Sequence, residues 1–468
     1  MQHLTPLDAL FLHRDKPETP RHIASLAILD PGDRPLDFDW LLQVINKRID
    51  LVPRYRQIPR PIPGGLGLPV WADDDHFDMS LHVRRSALPK PGTREALHDL
   101  VGRLIARRLD HDRPLWELYL IEGLEGGQVA MLFKSHQALV DGSHTVDLAQ
   151  VLLEETARAR DIPHEEWTPR SKPSAVSVVA ESLVNQVRHP ESMLAAGEFR
   201  LERLRSKLSS ISSETTSHGP LSAHLSRNRR FTTVQVPLED LRRVRGEHEG
   251  TVNDVILAAI AGGLRGWMLT RAEPVTAKTS FRAMVPMSVT RDSVSEGGLP
   301  TSLGPKVRGM MLTLPVGEAN AVVRLHQVSY ALKGHRETGS AVAANKLAEL
   351  PGFATSTFHA VGARVAEDQV SRGYNLIITN VPGPQEPVYM AGQRVAEVYS
   401  ALPLTGRRTI AIGVTSYNGS VYFGIVADRE AVPDVDVLAQ CIVESIEELG
   451  ETVGQTRGRA PRGRKRPE

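Results

Sequence analysis

Hydrophobic residues recur with helical spacing in two segments of the chain. Within residues 97–105 the apolar side chains follow an i, i+3, i+4, i+7, i+8 pattern, which predicts a helix with one apolar face that stops near residues 110–114. Residues 252–269 are apolar nearly all round, which predicts a helix inside the protein rather than on its surface. Both helices therefore require a packed core around them.

Short apolar runs between turn residues predict strands. The runs at 118–121 and 129–133 flank a glycine-bearing turn, which predicts a hairpin of buried strands. Further strand-like runs lie at residues 231–236, 280–286, 376–379, 409–415 and 420–426. Strands and helices alternate without a fixed repeat, so the sequence predicts an α/β or α+β fold.

The middle of the chain changes composition. Residues 161–173 are polar and contain proline, residues 177–208 have an amphipathic helical pattern, and residues 209–218 are rich in Ser and Thr. We therefore expect a boundary here, and a long surface loop inside one domain is the alternative. The expected units are a first lobe at 1–175, a helical crossover at 176–225, a second lobe at 226–453 and a disordered basic tail at 454–468.

Composition and charge exclude several classes of protein. The 468 residues are 41% hydrophobic and 24% charged, which is typical of a folded globular protein, and the single Cys441 excludes an intramolecular disulfide. Of the formal net charge of +1, residues 457–468 contribute +5 (six basic residues and one acid), which leaves −4 for the rest and argues against nucleic-acid binding. Without a signal-peptide pattern or an apolar run of about 18 residues, we expect a cytoplasmic protein.

One polar segment combines several chemically competent side chains. Residues 134–142 read Lys-Ser-His-Gln-Ala-Leu-Val-Asp-Gly, follow a predicted buried strand and precede a predicted helix with apolar positions at Val146, Ala149 and Leu153. Polar residues at a strand-to-helix switch often line a ligand crevice. The alternative is a simple turn, in which Asp141 caps the helix and Gly142 permits an unusual backbone angle.

Motifs for common cofactors are not found in the sequence. It contains no P-loop and no Gly-x-Ser-x-Gly elbow, and its two His-Glu pairs lack a second histidine four residues on. We therefore expect no metal and no bound cofactor.

The segment 134–142 resembles the His-His-x-x-x-Asp-Gly active-site motif of the bacterial wax ester synthase/acyl-CoA:diacylglycerol acyltransferase family. Further blocks resemble that family in the same order along the chain: residues 6–12 (Pro-Leu-Asp-Ala-Leu-Phe-Leu), 113–117 (Arg-Pro-Leu-Trp-Glu), 253–255 (Asn-Asp-Val), 282–286 (Arg-Ala-Met-Val-Pro) and 380–384 (Asn-Val-Pro-Gly-Pro). Ordered blocks over most of the chain are far more specific than any one of them.

The resemblance implies a two-lobed chloramphenicol acetyltransferase-like fold, shared with condensation domains, in which two α/β halves enclose a channel. It implies that acyl-CoA enters from one side and the acceptor alcohol from the other. In the family, the second motif histidine removes the hydroxyl proton, and the aspartate, here Asp141 beside Gly142, holds the loop. Asn253 and Asp254 are implied to support the site or the interface between the halves; the alternative is that they cap the buried helix.

This sequence departs from the family motif at the catalytic position. Gln137 stands where the family has its catalytic histidine, and His136 matches the first histidine. An amide cannot accept a proton at neutral pH, whereas an imidazole can. General base catalysis contributes about 10²–10⁴-fold, or roughly 3–5 kcal/mol. His136 and His144 are the alternative bases, although neighbouring side chains on a strand point to opposite faces, which would turn His136 away from the channel.

A second departure lies at residues 303–306, where Pro305 replaces an asparagine found in many family members and so removes a backbone donor.

Three functions remain open. The first is an O-acyltransferase that makes triacylglycerol or wax ester from acyl-CoA and diacylglycerol or a long-chain alcohol, at a membrane or lipid-droplet surface. The second is a protein that binds acyl-CoA without turnover, and the third is a condensation-type enzyme acting on a carrier-bound acyl group.

Overall fold

The computed structural model describes most of the chain, as residues 2–32, 36–62, 67–140, 147–158, 167–170, 219–289, 306–337, 355–368 and 373–454. The predicted helix at 177–208, the loop at 209–218 and the basic tail beyond residue 454 lie outside these ranges. So do Asp141, Gly142, His144 and Pro305.

The helices of the described residues are α1 (Pro6–Arg14), α2 (Phe38–Arg48), α3 (Met79–His82), α4 (Arg94–Ala106), α5 (Leu148–Val151), α6 (Leu238–His248), α7 (Val252–Thr270), α8 (Ala321–Glu337), α9 (Thr355–Asp368) and α10 (Val435–Glu451). Short 3₁₀ turns lie at Ile49–Leu51, Pro53–Arg56 and Glu125–Gly127.

The strands of the same residues are β1 (Gln2–His3), β2 (His22–Leu29), β3 (Gln57–Arg60), β4 (Val70–Asp73), β5 (Val83–Ala87), β6 (Trp116–Glu122), β7 (Val129–His136), β8 (Leu153–Glu154), β9 (Arg229–Pro237), β10 (Phe281–Val289), β11 (Lys306–Leu314), β12 (Leu376–Pro382), β13 (Tyr389–Met390), β14 (Gln393–Ala401), β15 (Ile410–Tyr417) and β16 (Ser420–Asp428).

Two large sheets organise the described part of the chain. One has the strand order β5-β6-β7-β2-β14-β13-β8, and the other has the order β11-β10-β12-β15-β16-β9; β1, β4 and β3 form a small third sheet. The predicted hairpin is confirmed as β6 and β7, which pair antiparallel. The predicted strands at residues 231–236, 280–286, 376–379, 409–415 and 420–426 are confirmed as well.

The first sheet takes one long strand from late in the chain. Strand β14 pairs antiparallel with β2, from the match of Val395 with Leu29 to that of Ala401 with Ala24. It also crosses the second sheet closely, because a Cβ on Gly424 of β16 would collide with the carbonyl oxygen of Ser400. Strand β14 thus connects the two sheets.

Two predicted helix boundaries need correction. Helix α4 ends at Ala106, earlier than the predicted stop, because Arg107 already has an extended backbone (φ −87°, ψ 127°). The helix predicted after the motif is only the single turn of α5, and Leu153 lies instead in strand β8 opposite Met390. Pairing with β13 overrides the local helical pattern there.

Helix α7 is the centre of the second core, as its apolar pattern predicted. Side chains from Val255 to Ala261 are almost entirely buried. Gly263 approaches α10 so closely that a Cβ there would lie 2.5 Å from the Ile442 side chain. Among the described residues, α7 is the one helix that is long and apolar enough to cross a membrane, and 72% of its apolar window is buried inside the protein.

Candidate functional site

The polar segment begins at the end of strand β7, between β6 and β2. The strand ends at His136, whose carbonyl accepts a hydrogen bond from the N–H of Leu139 (2.8 Å) and so closes a turn. The N–H of Gln137 donates to the carbonyl of Arg21, just before β2, at 2.8 Å. The turn is therefore fixed by the neighbouring strand rather than by local sequence alone.

Gln137 is completely buried in this turn. Its carbonyl accepts a hydrogen bond from Arg364 of α9. Among the described residues, neither the Oε1 nor the Nε2 atom of its side chain has a hydrogen-bond partner. The amide can therefore offer one acceptor and two donors to a substrate hydroxyl.

His136 points to the other side, toward Asp15. Its Nδ1 accepts a hydrogen bond from the N–H of Ala138 (3.0 Å), so in the neutral ring the proton sits on Nε2, which lies 3.8 Å from Asp15 Oδ2. Burial lowers the pKa of His136 to about 3, although the Asp15 carboxylate opposes this. With its lone pair engaged by the backbone, the ring as placed has no acceptor free for a substrate proton.

The Asp15 carboxylate accepts hydrogen bonds from several groups near His136. Its Oδ2 lies 2.7 Å from His111 Nε2 and 3.1 Å from Arg108 Nε, and its Oδ1 accepts from the N–H of Arg21 at 2.9 Å. Burial alone would raise the pKa of Asp15, but the hydrogen bond from His111 and the charges of His136 and Arg108 hold it well below its usual range. Asp15 is therefore an ionised, fully engaged carboxylate.

The same cluster has the composition of a metal site. One carboxylate oxygen of Asp15 and one ring nitrogen each of His111 and His136 lie within 4.8 Å of one another. A metal ion, however, needs a lone pair on the His136 nitrogen that faces Asp15, and that nitrogen carries the proton. An ion would also displace Arg108 from Asp15. The described geometry is that of a carboxylate hydrogen-bonded to His111 and Arg108, with His136 Nε2 3.8 Å away and without a hydrogen-bond partner among the described residues.

Opposite this cluster, Asp147 forms a second buried group that the sequence analysis missed. Its Oδ1 accepts hydrogen bonds from the hydroxyls of Tyr55 (3.1 Å) and Ser135 (3.2 Å), and from the N–H of Ala149 (3.3 Å). Burial raises the pKa of Asp147, although these hydrogen bonds oppose the shift. Asp147 also caps α5; an acidic residue just before an apolar Leu-Ala pair is the signal that would have identified it.

Trp116, in the family block at residues 113–117, supports the group around Asp147 by holding Tyr55. The Trp116 indole N–H donates to the carbonyl of Tyr55 (2.7 Å), and the Tyr55 hydroxyl accepts from the N–H of Leu148 (2.9 Å). The ring of His82 stacks on Trp116, with its Nδ1 2.8 Å from the Trp116 carbonyl. Tyr55 is thus held in place on both of its ends.

Asn253 and Asp254 lie at the start of α7. Asp254 forms a capping box with Thr251, and its Oδ2 accepts from the Ser329 hydroxyl at 3.0 Å. The Oδ1 of Asn253 accepts a hydrogen bond from Asn380 Nδ2 at 2.8 Å. Asp254 therefore forms the helix cap that the sequence left as an alternative, and Asn253 joins two blocks that lie far apart in sequence.

His359 on α9 is a further buried histidine that sequence reasoning did not single out. Its Nδ1 lies 2.5 Å from the Thr379 hydroxyl and its Nε2 lies 2.9 Å from the Thr415 hydroxyl. Burial lowers the pKa of His359 to about 3. A lone histidine in a helix pattern carries no sequence signal that would distinguish it from a surface residue.

The low pKa values of His136 and His359 predict a loss of stability in acid. Above about pH 6.5 both rings are neutral in the folded and unfolded chain; as the pH falls from about 6.5 toward 3, only the unfolded chain binds the protons. Each histidine then lowers the free energy of unfolding by up to about 1.4 kcal/mol per pH unit. His359→Asn should remove one such contribution in urea unfolding at pH 7, 6 and 5.

The exposed His76 provides the matched control for this measurement. His76→Asn should keep the wild-type pH slope, because burial causes the effect and this side chain is exposed. Equal slopes for wild type and His359→Asn would contradict the prediction.

Comparison with known protein families matches most of the chain to one of them. Residues 4–256 match the family model of the wax ester synthase/diacylglycerol acyltransferase catalytic domain, and residues 303–450 match the model of the C-terminal domain of the same family. A probable diacylglycerol O-acyltransferase of Mycobacterium tuberculosis, tgs1, is 32% identical over 464 residues, which cover 96% of each chain. Another from that organism, tgs3, is 37% identical over 261 residues, which cover 53% of this chain and 96% of that protein.

Solved structures support the same fold. The wax ester synthase/diacylglycerol acyltransferase from Marinobacter aquaeolei aligns with a TM-score of 0.66 at 24% identity, over 97% of this chain and all of that one. The first condensation domain of the CDA synthetase aligns with a TM-score of 0.55 at 15% identity, over 97% of each chain. The predicted two-lobed α/β fold shared with condensation domains is thereby confirmed.

Proposed function

Because this chain belongs to the wax ester synthase/diacylglycerol acyltransferase family, we propose that it moves a long-chain acyl group from acyl-CoA to the hydroxyl of diacylglycerol. The observation that carries the proposal is the catalytic-domain match over residues 4–256, which includes strand β7 and the turn that holds Gln137. Long-chain alcohols are the second class of acceptor, since the family makes wax esters.

In the proposed reaction the acceptor oxygen attacks the thioester carbonyl. The new ester C–O bond forms, the C–S bond breaks, and the hydroxyl proton ends on the sulfur of coenzyme A. Gln137 orients the acceptor by taking a hydrogen bond from its hydroxyl on Oε1. Because an amide cannot take the proton itself, the chain works by positioning, and we expect it to be about 10²–10⁴-fold slower than it would be with a base at that position.

One observation favours a second function. The residue at the position of the catalytic histidine is a buried amide, and the neighbouring His136 has its lone pair on the N–H of Ala138. A chain with that site would bind acyl-CoA without transferring the acyl group. The two functions differ only in turnover, so one set of measurements separates them.

The test supplies labelled long-chain acyl-CoA with diacylglycerol, or with a long-chain alcohol, and measures neutral lipid and acyl-CoA binding together. We expect triacylglycerol above the level of a heat-killed control. Binding of acyl-CoA without product would reject the transferase in favour of the second function, and neither binding nor product would reject both.

The acceptor is insoluble, so the reaction belongs at a lipid surface reached from the cytoplasm. The sequence of residues 457–468 carries a charge of +5, which favours anionic lipid by about 1 kcal/mol per basic residue near the surface. In the same assay, diacylglycerol presented in anionic vesicles should be converted faster than in neutral vesicles, and removing the residues after 454 should abolish that difference. Equal rates in both vesicles would contradict this part of the proposal.

A further inference from the structure

One face of helix α9 contacts the chain at Gln137 and at Asp147, on either side of residues 138–146. Near its start, the Thr357 hydroxyl accepts from the N–H of Asp147 and donates to Gln150 Oε1, both at 3.0 Å. Arg364, seven residues later, donates to the carbonyl of Gln137. Seven residues advance an α-helix by about 10.5 Å and return to nearly the same face. The two contacts therefore bracket residues 137–147.

The other face of α9 is attached to the second sheet. The ring of His359 lies between the hydroxyls of Thr379 on β12 and Thr415 on β15. Gly362 allows close approach, because a Cβ there would lie 3.1 Å from Pro286 Cγ on β10 and 3.2 Å from Thr379 Cγ2. Through α9, the position of the turn at Gln137 is therefore set relative to the second sheet.

The guanidinium of Arg364 is itself held in place. Its Nη2 lies 2.6 Å from Asp8 Oδ1 on α1, and its Cζ lies 5.1 Å from the centre of the Phe11 ring. One side of the planar fork thus binds Asp8, while Nη1 binds the carbonyl of Gln137. A lysine ammonium is a point charge and lacks this planar geometry.

We propose that Arg364 is a positioning residue for acyl transfer, which directs the Gln137 side chain by fixing its backbone from the carbonyl side. The carbonyl of Arg21 fixes the preceding peptide group by accepting a hydrogen bond from the N–H of the same residue, Gln137, at 2.8 Å. This inference rests on the proposed function. A displacement of about 1 Å at such a site costs about 10²-fold in rate, because the reacting groups no longer meet in line.

The test compares Arg364→Lys and Thr357→Val with the wild-type full chain. Two readouts are measured: kcat and KM for acyl transfer, and hydrogen exchange of the amides of residues 138–140. We expect Arg364→Lys to lower kcat by about 10–100-fold with KM near the wild-type value. Exchange at residues 138–140 should become faster, since the turn loses the support of its carbonyl.

Arg324→Lys is the matched control. Arg324 is also buried, pairs with Glu448 at 2.6 Å and lies in the second core, away from the motif. It should leave kcat and the exchange of residues 138–140 unchanged.

The outcomes separate the two proposals. Wild-type kcat and wild-type exchange in Arg364→Lys would overturn the positioning role. If Arg364→Lys speeds exchange throughout the protein, Thr357→Val, which removes the other contact of α9, is measured by the same two readouts. Wild-type kcat and wild-type exchange in that variant would overturn the positioning of the turn by α9. If the wild type itself makes no product, the proposed function is rejected, and the exchange comparison alone decides whether Arg364 positions the turn.

Discussion

Gln137→His should raise kcat for triacylglycerol formation by about 10²–10⁴-fold, with a much smaller change in KM. The imidazole would supply a proton acceptor at the position where the family motif has one. The backbone there is held by Arg21 and Arg364, so the new side chain starts from the same place as the amide. The gain belongs in kcat because a general base acts only in the transition state.

The pH profile and one control variant complete this test. The kcat of Gln137→His should fall in acid, because the protonated imidazole is no longer a base; burial of position 137 should move this fall below the ordinary histidine pKa of about 6.5. Gln137→Leu, which has a similar size and no polar atoms, should lose the residual wild-type turnover. If Gln137→His is no faster than wild type while His136→Ala is inactive, the base lies at His136 and the role given to Gln137 is wrong.

Lys134→Met should destabilise the protein by about 1–3 kcal/mol, because it removes the buried ammonium that donates to both the half-buried Glu117 carboxylate and the Arg107 carbonyl. The ammonium of Lys134 is buried and donates to Glu117 Oε2 (3.0 Å) and to the carbonyl of Arg107 (2.9 Å). Burial lowers the pKa of Lys134, and Glu117 opposes that shift. Without Lys134, the carboxylate of Glu117 keeps Arg84, at 3.2 Å, and Tyr119 as its partners.

The double variant Lys134→Met/Glu117→Gln distinguishes charge from packing. It removes the carboxylate charge that has lost Lys134 but still lets the Tyr119 hydroxyl donate to the side-chain oxygen at position 117. Denaturant unfolding should show the double variant to be clearly more stable than Lys134→Met alone. A double variant no more stable than the single one would show that lost packing, and not the buried charge, causes the effect.

Local patterns sufficed where an element depends on its own residues. The helical spacing within 97–105 and the apolar segment 252–269 correspond to α4 and α7, and the two apolar runs around the Gly123–Gly127 turn correspond to the β6–β7 hairpin. The ordered sequence blocks also identified the family and its two-lobed fold. They also aligned Gln137 with the second histidine of the family motif, which stays a prediction about its role.

Long-range contacts were not readable from such patterns. The sequence of β14 does not show that its partner is β2, more than 360 residues earlier. Strands pair through backbone hydrogen bonds, which are the same for every residue type except proline. Leu153 follows a helical pattern but pairs with Met390, since that contact outweighs local preference. The roles of Asp147 and Arg364 depend on the groups that folding brings around them, and these groups are remote in sequence.

The sequence by itself therefore determined helices α4 and α7, the main strands, the family and the presence of an amide where the family motif has a histidine, because each element and each motif block consists of residues close together along the chain. Only the tertiary structure decided which side chains surround that amide. It placed the proton of His136 on the nitrogen that faces Asp15, and it brought α9 against Gln137 and Asp147. The physical reason is that proton positions and bracing contacts depend on distances between segments that are remote in sequence.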